Sequence, residues 1–444
     1  MRARASLVSP AVLLLLFFVC IYRDGKSADA HAKANTQSQP QSSPPTVAIY
    51  ASDPDHIWNR LFRLFYLRHT DDGQQYGGDE LDPYLWGQTR YLLSGSSHNE
   101  ALNVLDEFLE QHSEGAVTDP LKRALFQRDL LAVYDWLSLP FEEQKQGRSE
   151  LKKRIAEIIR RLALGEDQVR KLPDNYEDAV QAHVFPTTYD PADPQHPFLP
   201  ADLFDAKGLW VCLGEQQGRP VASDHLKFFG GRSVFIVFFQ VPGGREKTLD
   251  YLAKLRDVPN TWRLNRFAGS VPYPEPPQFP IGTRMALVRQ IVLIGSGGNL
   301  IRTHLTESVQ MRVYRAIHLD LGGTGTHSQD VFEFRMTREG LLSGSGGLRA
   351  IAPGEKEFAV FHTHGIDVFE SEGEKPESEE GVVLDRCSGC HVFAGIHSFL
   401  SYSRARFGAG TGTPPKLIES NPDREAVVQI GWIAHHHELA FGTQ

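Results

Sequence analysis

The chain has 444 residues, 41% of them apolar and 23% charged, and a formal net charge of −9. This length accommodates two or three domains, and the balance is globular rather than disordered or polytopic. An acidic chain argues against nucleic acid as a partner, because that function needs a basic face.

Residues 1–30 read as a targeting segment. Arg2 and Arg4 precede an apolar run from Ala11 to Tyr22, and Ala28-Asp29-Ala30 supplies an A-x-A cleavage pattern. The run is short for a membrane span. Arg23, Asp24 and Lys26 separate it from the cleavage pattern, so membrane association through an uncleaved N-terminal anchor is the alternative to a cleaved signal. The segment loosely resembles a lipoprotein signal before Cys20, but Val19 stands where a small residue is expected. Each version predicts an exported protein, periplasmic or held on the outer face of the membrane. Residues 31–50, polar and proline-rich, form a flexible linker.

A helical domain is expected over 51–175. Asp53 or Asp55 can cap a helix carrying Ile57, Trp58, Leu61, Phe62 and Phe65. Further amphipathic segments run near 83–94, 98–111, 119–137 and 149–164. Asp119-Pro120 suits a cap followed by a first helical residue. The basic cluster Lys152-Lys153-Arg154 with Arg160 and Arg161 is the wet side of a helix whose stripe is Leu151, Ile155, Ile158, Ile159 and Leu162.

The character changes near 176, and 176–370 reads as a β-rich α+β domain with mostly antiparallel strands. Cys212 lies in an apolar strand-like segment and reads as a buried small hydrophobe. Ser233–Phe239 is a continuous apolar strand buried on both faces. A short helix is expected near 245–256, then a proline-rich crossing over 272–280 and strands at 285–294, 309–317 and 331–336. In the last, Phe332, Phe334 and Met336 alternate with Glu333 and Arg335, which predicts one wet face. Gly295–Gly298 and Gly344–Gly347 lack the residues of a phosphate loop and read as hairpin loops. Residues 371–381 form an acidic linker, and 382–444 a short, mainly helical C-terminal segment ending in a helix from about Asp423 to His437. The fold class expected is therefore α+β multidomain: an N-terminal helical bundle, a central β-rich domain and this C-terminal segment.

The chemistry concentrates in that last segment, at Cys387-Ser388-Gly389-Cys390-His391. C-x-x-C-H is the attachment pattern of c-type haem: two thiols bond the porphyrin's vinyl groups, and the next His ligates the iron. The segment resembles the c-type cytochromes, firmly over five residues and loosely over at most about 60. The resemblance implies one covalent haem c on Cys387 and Cys390, His391 as proximal ligand, and electron transfer to a redox partner protein. It departs from small soluble cytochromes in two respects. An acidic linker and Val382-Val383-Leu384 precede the motif instead of an amphipathic helix, and no Met follows Met336. The sixth iron ligand is therefore sought among His435, His436 and His437 on the last helix, with His362, His364 and His397 as weaker candidates. Two readings compete with electron transfer. One is an exported binding or structural protein whose Cys387 and Cys390 form a local disulfide. The other is a haem enzyme, such as a peroxidase, with an open iron position. Zinc lacks a second cysteine pair.

Overall fold

The computed structural model describes residues 48–69, 75–79, 92–138, 144–228, 231–259, 261–265, 269–317, 328–344, 346–362, 377–385, 391, 395–399 and 415–441. Helix α1 spans Ile57–Tyr66 and buries Trp58, Leu61, Phe62 and Phe65 at helical spacing. Its Trp58 ring stacks on Phe126 at 4.6 Å, and the indole N–H donates to the Ser113 carbonyl at 2.8 Å. A small hairpin of β1, Leu67–His69, and β2, Gln75–Gly77, follows it. Helices α2, Gly95–Glu110, α3, Pro120–Leu137, and α4, Lys145–Leu162, complete the helical layer. The Lys122 amide donates to Asp119 Oδ1 at 2.9 Å, with proline in the first turn, as Asp119-Pro120 predicts. On α4 the apolar stripe is buried, while Arg160 and Arg161 pair with Glu157 and Arg154 pairs with Asp106. The basic cluster is thus the paired outer side of a helix. The helix expected over 83–94 falls almost wholly outside the described residues.

Two short helices, α5, Glu166–Val169, and α6, Asn175–Gln181, lead to a seven-stranded sheet. Strand β3 is Val211–Glu215 and β4 is Ser233–Gln240, with α7, Ser223–Phe228, between them and α8, Arg245–Asp257, after. A ribbon of β5, Thr261–Asn265, and β6, Gly269–Tyr273, occupies part of the proline-rich crossing. The long strands β7, Arg284–Ile294, and β8, Leu300–Tyr314, form a hairpin closed by Gly295–Gly298. There Gly298 adopts φ +79 and its amide bonds the Gly295 carbonyl at 2.8 Å. Strand β9, Gln329–Met336, is followed by α9, Arg338–Leu342, and β10, Leu348–Ala350. The second glycine loop, expected to close a hairpin directly, instead follows this helix. Strands β11, Lys356–His362, and β12, Glu377–Val382, pair as a ribbon, so part of the stretch read as an acidic linker is a strand. Strand β13, Leu417–Glu419, and helix α10, Pro422–Phe441, end the described chain.

The sheet order is β10-β9-β8-β7-β4-β3-β13, with every neighbouring pair antiparallel. The fold is therefore α+β. All eight residues of β4 are buried, which matches its unbroken apolar run. Cys212 is buried and free, and burial pushes its thiol up. One expectation fails in β9: Glu333 is buried rather than wet, because Arg335 Nε donates to it at 2.7 Å. The helices meet the sheet through α3, where Gln127 Nε2 donates to the Ile294 carbonyl at 3.0 Å. Buried apolar side chains from Tyr50 to Ile433 form one cluster.

Among the described residues, no helix is long and apolar enough to cross a membrane. Residues 1–30, and with them the expected signal or anchor, lie outside the described residues.

Candidate functional site

Cross-strand register decides which side chains share a face. Phe235 pairs with Arg289 and Phe239 with Met285; Met285 in turn pairs with Arg312, and Tyr314 with Gln329. These residues lie on one face of the sheet, so two arginines stand among aromatics. The opposite face carries Ile236, Val288, Val309 and Phe334 and is apolar core.

The polar face is held by a carboxylate at its centre. Glu307 sits where the β7–β8 register shifts, which frees it from ordinary pairing. It accepts from Arg128 on α3, from Arg289 Nε at 2.8 Å and from the Ser233 hydroxyl. All four groups are buried. One carboxylate therefore serves two guanidinium groups.

His391 lies at the end of this face. Its Nδ1 is 2.6 Å from the Ser398 carbonyl, and its Nε2 is 3.4 Å from Arg312 Nη2. A carbonyl only accepts, so Nδ1 carries the proton and Nε2 keeps its lone pair toward the guanidinium. Burial, followed by the Arg312 charge, holds the imidazole well below its ordinary pKa, and the Ser398 bond opposes this. The ring is neutral at pH 7. Ser398 is fixed from several sides: its hydroxyl bonds Tyr314 Oη at 3.0 Å, and its carbonyl also accepts from Arg312 Nη1 at 3.2 Å. The turn that presents it begins at Gly395, with φ +58, where a Cβ would lie 2.3 Å from Gln278 Oε1. The His391 carbonyl accepts from Gln329 Nε2 at 3.2 Å.

A second imidazole joins the cluster. His225 on α7 lies against the Phe235 ring, with centroids 5.4 Å apart, and the Arg289 guanidinium carbon stands 5.7 Å from the same ring. Burial first, and then Arg312, push the His225 pKa down to about 4; Asp224 works against them. Beside the cluster is a cleft of about 200 Å³ lined by Pro194, Pro197, Gln329, Asp330, Phe332 and Asp385, among others. Gln329, which donates to the His391 carbonyl, and Asp385 both line this cleft. Gln329 Oε1 is buried there without a partner.

Of the residues singled out in the sequence, His391 alone among the motif's haem groups is described; Cys387 and Cys390 lie outside the described residues. His435, His436 and His437 belong to the α10 backbone, but their side chains lie outside the description, as do His364 and the His362 side chain. The His397 Nε2 bonds Glu275 Oε1 at 3.1 Å, and its Nδ1 is buried without a partner. Sequence reading missed Arg312, His225, Glu307, Arg289 and Arg128. Among the described residues no group of three or more His, Cys, Asp or Glu is placed to hold a metal ion.

For the haem iron that the motif implies, the donor chemistry of His391 fits. A ligating imidazole typically gives its other N–H to a carbonyl or carboxylate, as Nδ1 does to Ser398. The room at Nε2 is taken by Arg312, so ligation requires that guanidinium to withdraw. No family model, no curated protein and no solved structure matches this chain.

Proposed function

We propose that the chain is an exported c-type haem protein that passes electrons in the periplasm or at the outer face of the membrane. In this reading Cys387 and Cys390 carry one haem covalently, His391 ligates its iron, and one of His435, His436 and His437 is the opposite ligand. The observation that supports it best is the state of His391: neutral, with its proton held on Nδ1 by Ser398 and a lone pair left on Nε2. A covalent haem would supply one-electron redox chemistry at this position.

The chain's own residues do the rest. Ser398 orients the imidazole and fixes its tautomer, and Gly395 and Gln278 hold the turn that carries Ser398. Gln329 anchors the His391 backbone. Burial, and then the Arg312 charge, keep the His391 imidazole neutral. The net charge of −9 favours a partner presenting a basic face.

The decisive experiment is expression of the full chain together with cytochrome maturation machinery. A Soret band, and a C-terminal peptide heavier by one haem, are expected. A colourless protein whose Cys387–His391 peptide has its unmodified mass would overturn the proposal. Recovery of Cys387 and Cys390 as a disulfide would move the reading to a binding or structural protein.

A further inference from the structure

Arg312 is 7% exposed, yet its contacts are all with neutral groups: Tyr314 Oη at 3.4 Å, the Ser398 carbonyl at 3.2 Å and His391 Nε2 at 3.4 Å. Among the described residues no carboxylate lies within ion-pair reach of it, and its Nε–H has no acceptor. The carboxylates that the register brings to this face are engaged elsewhere: Glu307 is shared by Arg128 and Arg289, and Glu333 pairs with Arg335. A buried cation with no counter-charge is costly and calls for an anion. His225 stands on the same face, within reach of Arg312's charge, and neither of its ring nitrogens has a hydrogen-bond partner among the described residues. His225 and His391 each keep part of their surface exposed.

We infer that Arg312, flanked by His225 and His391, is a binding site for a small anion bearing carboxylate or phosphate-type oxygens. A guanidinium offers a planar pair of N–H donors that matches two oxygens of such a group. The neutral His225 adds one N–H donor, and the Ser398 carbonyl, Tyr314 Oη and His391 Nε2 hold the guanidinium from behind. The inference does not depend on haem attachment. The same oxygen chemistry has two sources, a free solute anion or a carboxylate on the rim of a bound porphyrin.

The test uses the full chain made without maturation machinery, so that it carries no haem, titrated with inorganic phosphate and with acetate at constant ionic strength. Saturable binding of one equivalent by calorimetry, with a melting temperature that rises with ligand concentration, is expected. Arg312→Met should weaken it by about tenfold to a hundredfold, the size of a lost charge-assisted hydrogen bond. Arg312→Lys keeps the charge without the fork and should retain part of the affinity; it also serves if the Met variant fails to fold. Absence of saturable binding in the wild type, or equal binding in both variants, overturns the inference. Repeating the titration on haem-loaded protein separates the sources: retained phosphate binding assigns the site to a solute, and lost binding assigns it to the porphyrin carboxylate. Failure of the haem reading leaves the first titration intact, so the two proposals fail separately.

Discussion

Two buried arginines in this molecule have opposite surroundings. Arg338, at the start of α9, is 0% exposed and meets Asp129 through Nε at 3.0 Å and Nη2 at 2.6 Å. Asp79 takes its Nη1 at 3.3 Å, and the rings of Phe62 and Tyr66 lie 4.9 and 4.7 Å from its guanidinium carbon. Tyr50 donates to the same Asp129, and Tyr66 Oη donates to the Asp129 carbonyl at 3.0 Å. Burial alone would lower the Arg338 pKa, but Asp129, with Tyr50 and Tyr66, outweighs it and holds the charge in place. Arg312 is nearly as buried, and among the described residues no carboxylate pairs with it. The first arrangement ties the helical layer to the sheet. The second leaves a positive charge whose counter-ion has to come from elsewhere.

The comparison breaks most visibly at Asp129. Asp129→Asn takes the buried carboxylate from Arg338 and leaves only the part-exposed Asp79 at 3.3 Å, and should cost about 3–5 kcal/mol in urea denaturation. A loss below about 1 kcal/mol would mean that the two arginines are alike after all. Tyr50→Phe removes one donor from the same carboxylate and should cost about 1.5–3 kcal/mol, because hydrogen bonds to charged groups are the stronger kind. Arg312→Met should fall within about 1 kcal/mol of zero, or on the stabilising side, since it removes an uncompensated charge and keeps the stem. A cost equal to that of Asp129→Asn would show that Arg312 already has its counter-charge.

The pH dependence is the most specific test. His225 titrates in the fold near 4, whereas an unfolded histidine titrates near 6.5. Between these values the unfolded chain binds the extra proton. The His225 contribution to stability is therefore complete above about pH 6.5 and drains away as pH falls toward about 4. Urea midpoints measured across this window should decline less steeply in His225→Phe than in the wild type. An identical decline would place His225 in an ordinary aqueous setting.

Local signals carried much of this fold. The run Ser233–Phe239 could only be a strand buried on both faces, and Asp119-Pro120 marked the start of α3 because cap and first turn are a matter of adjacent residues. Glu333 misled because alternation is read as wet against dry, while an adjacent arginine two positions on can bury a carboxylate as a pair. The candidate site was legible only in part. His391 follows from its spacing to two cysteines, a local pattern. Its setting does not: Arg128 and Glu307 are 179 positions apart, and Arg312 on β8 looks like any polar residue alternating with Val309, Met311 and Val313. Only the strand register brings Arg312, Arg289 and Phe235 to one face.

The terminal helix does one more thing to the sheet. Strand β3 pairs with β4 only at Phe238 and Phe239, and beyond them Gln429 of α10 takes over. Its side chain accepts from the Phe235 amide at 2.7 Å and donates to the Phe235 carbonyl at 2.7 Å. An amide side chain here imitates the neighbouring strand and satisfies buried backbone groups that β3 does not reach. Loss of Gln429 would leave the buried Phe235 N–H and C=O without partners, at about 1–3 kcal/mol each, so the C-terminal helix completes the sheet's hydrogen bonding from outside it.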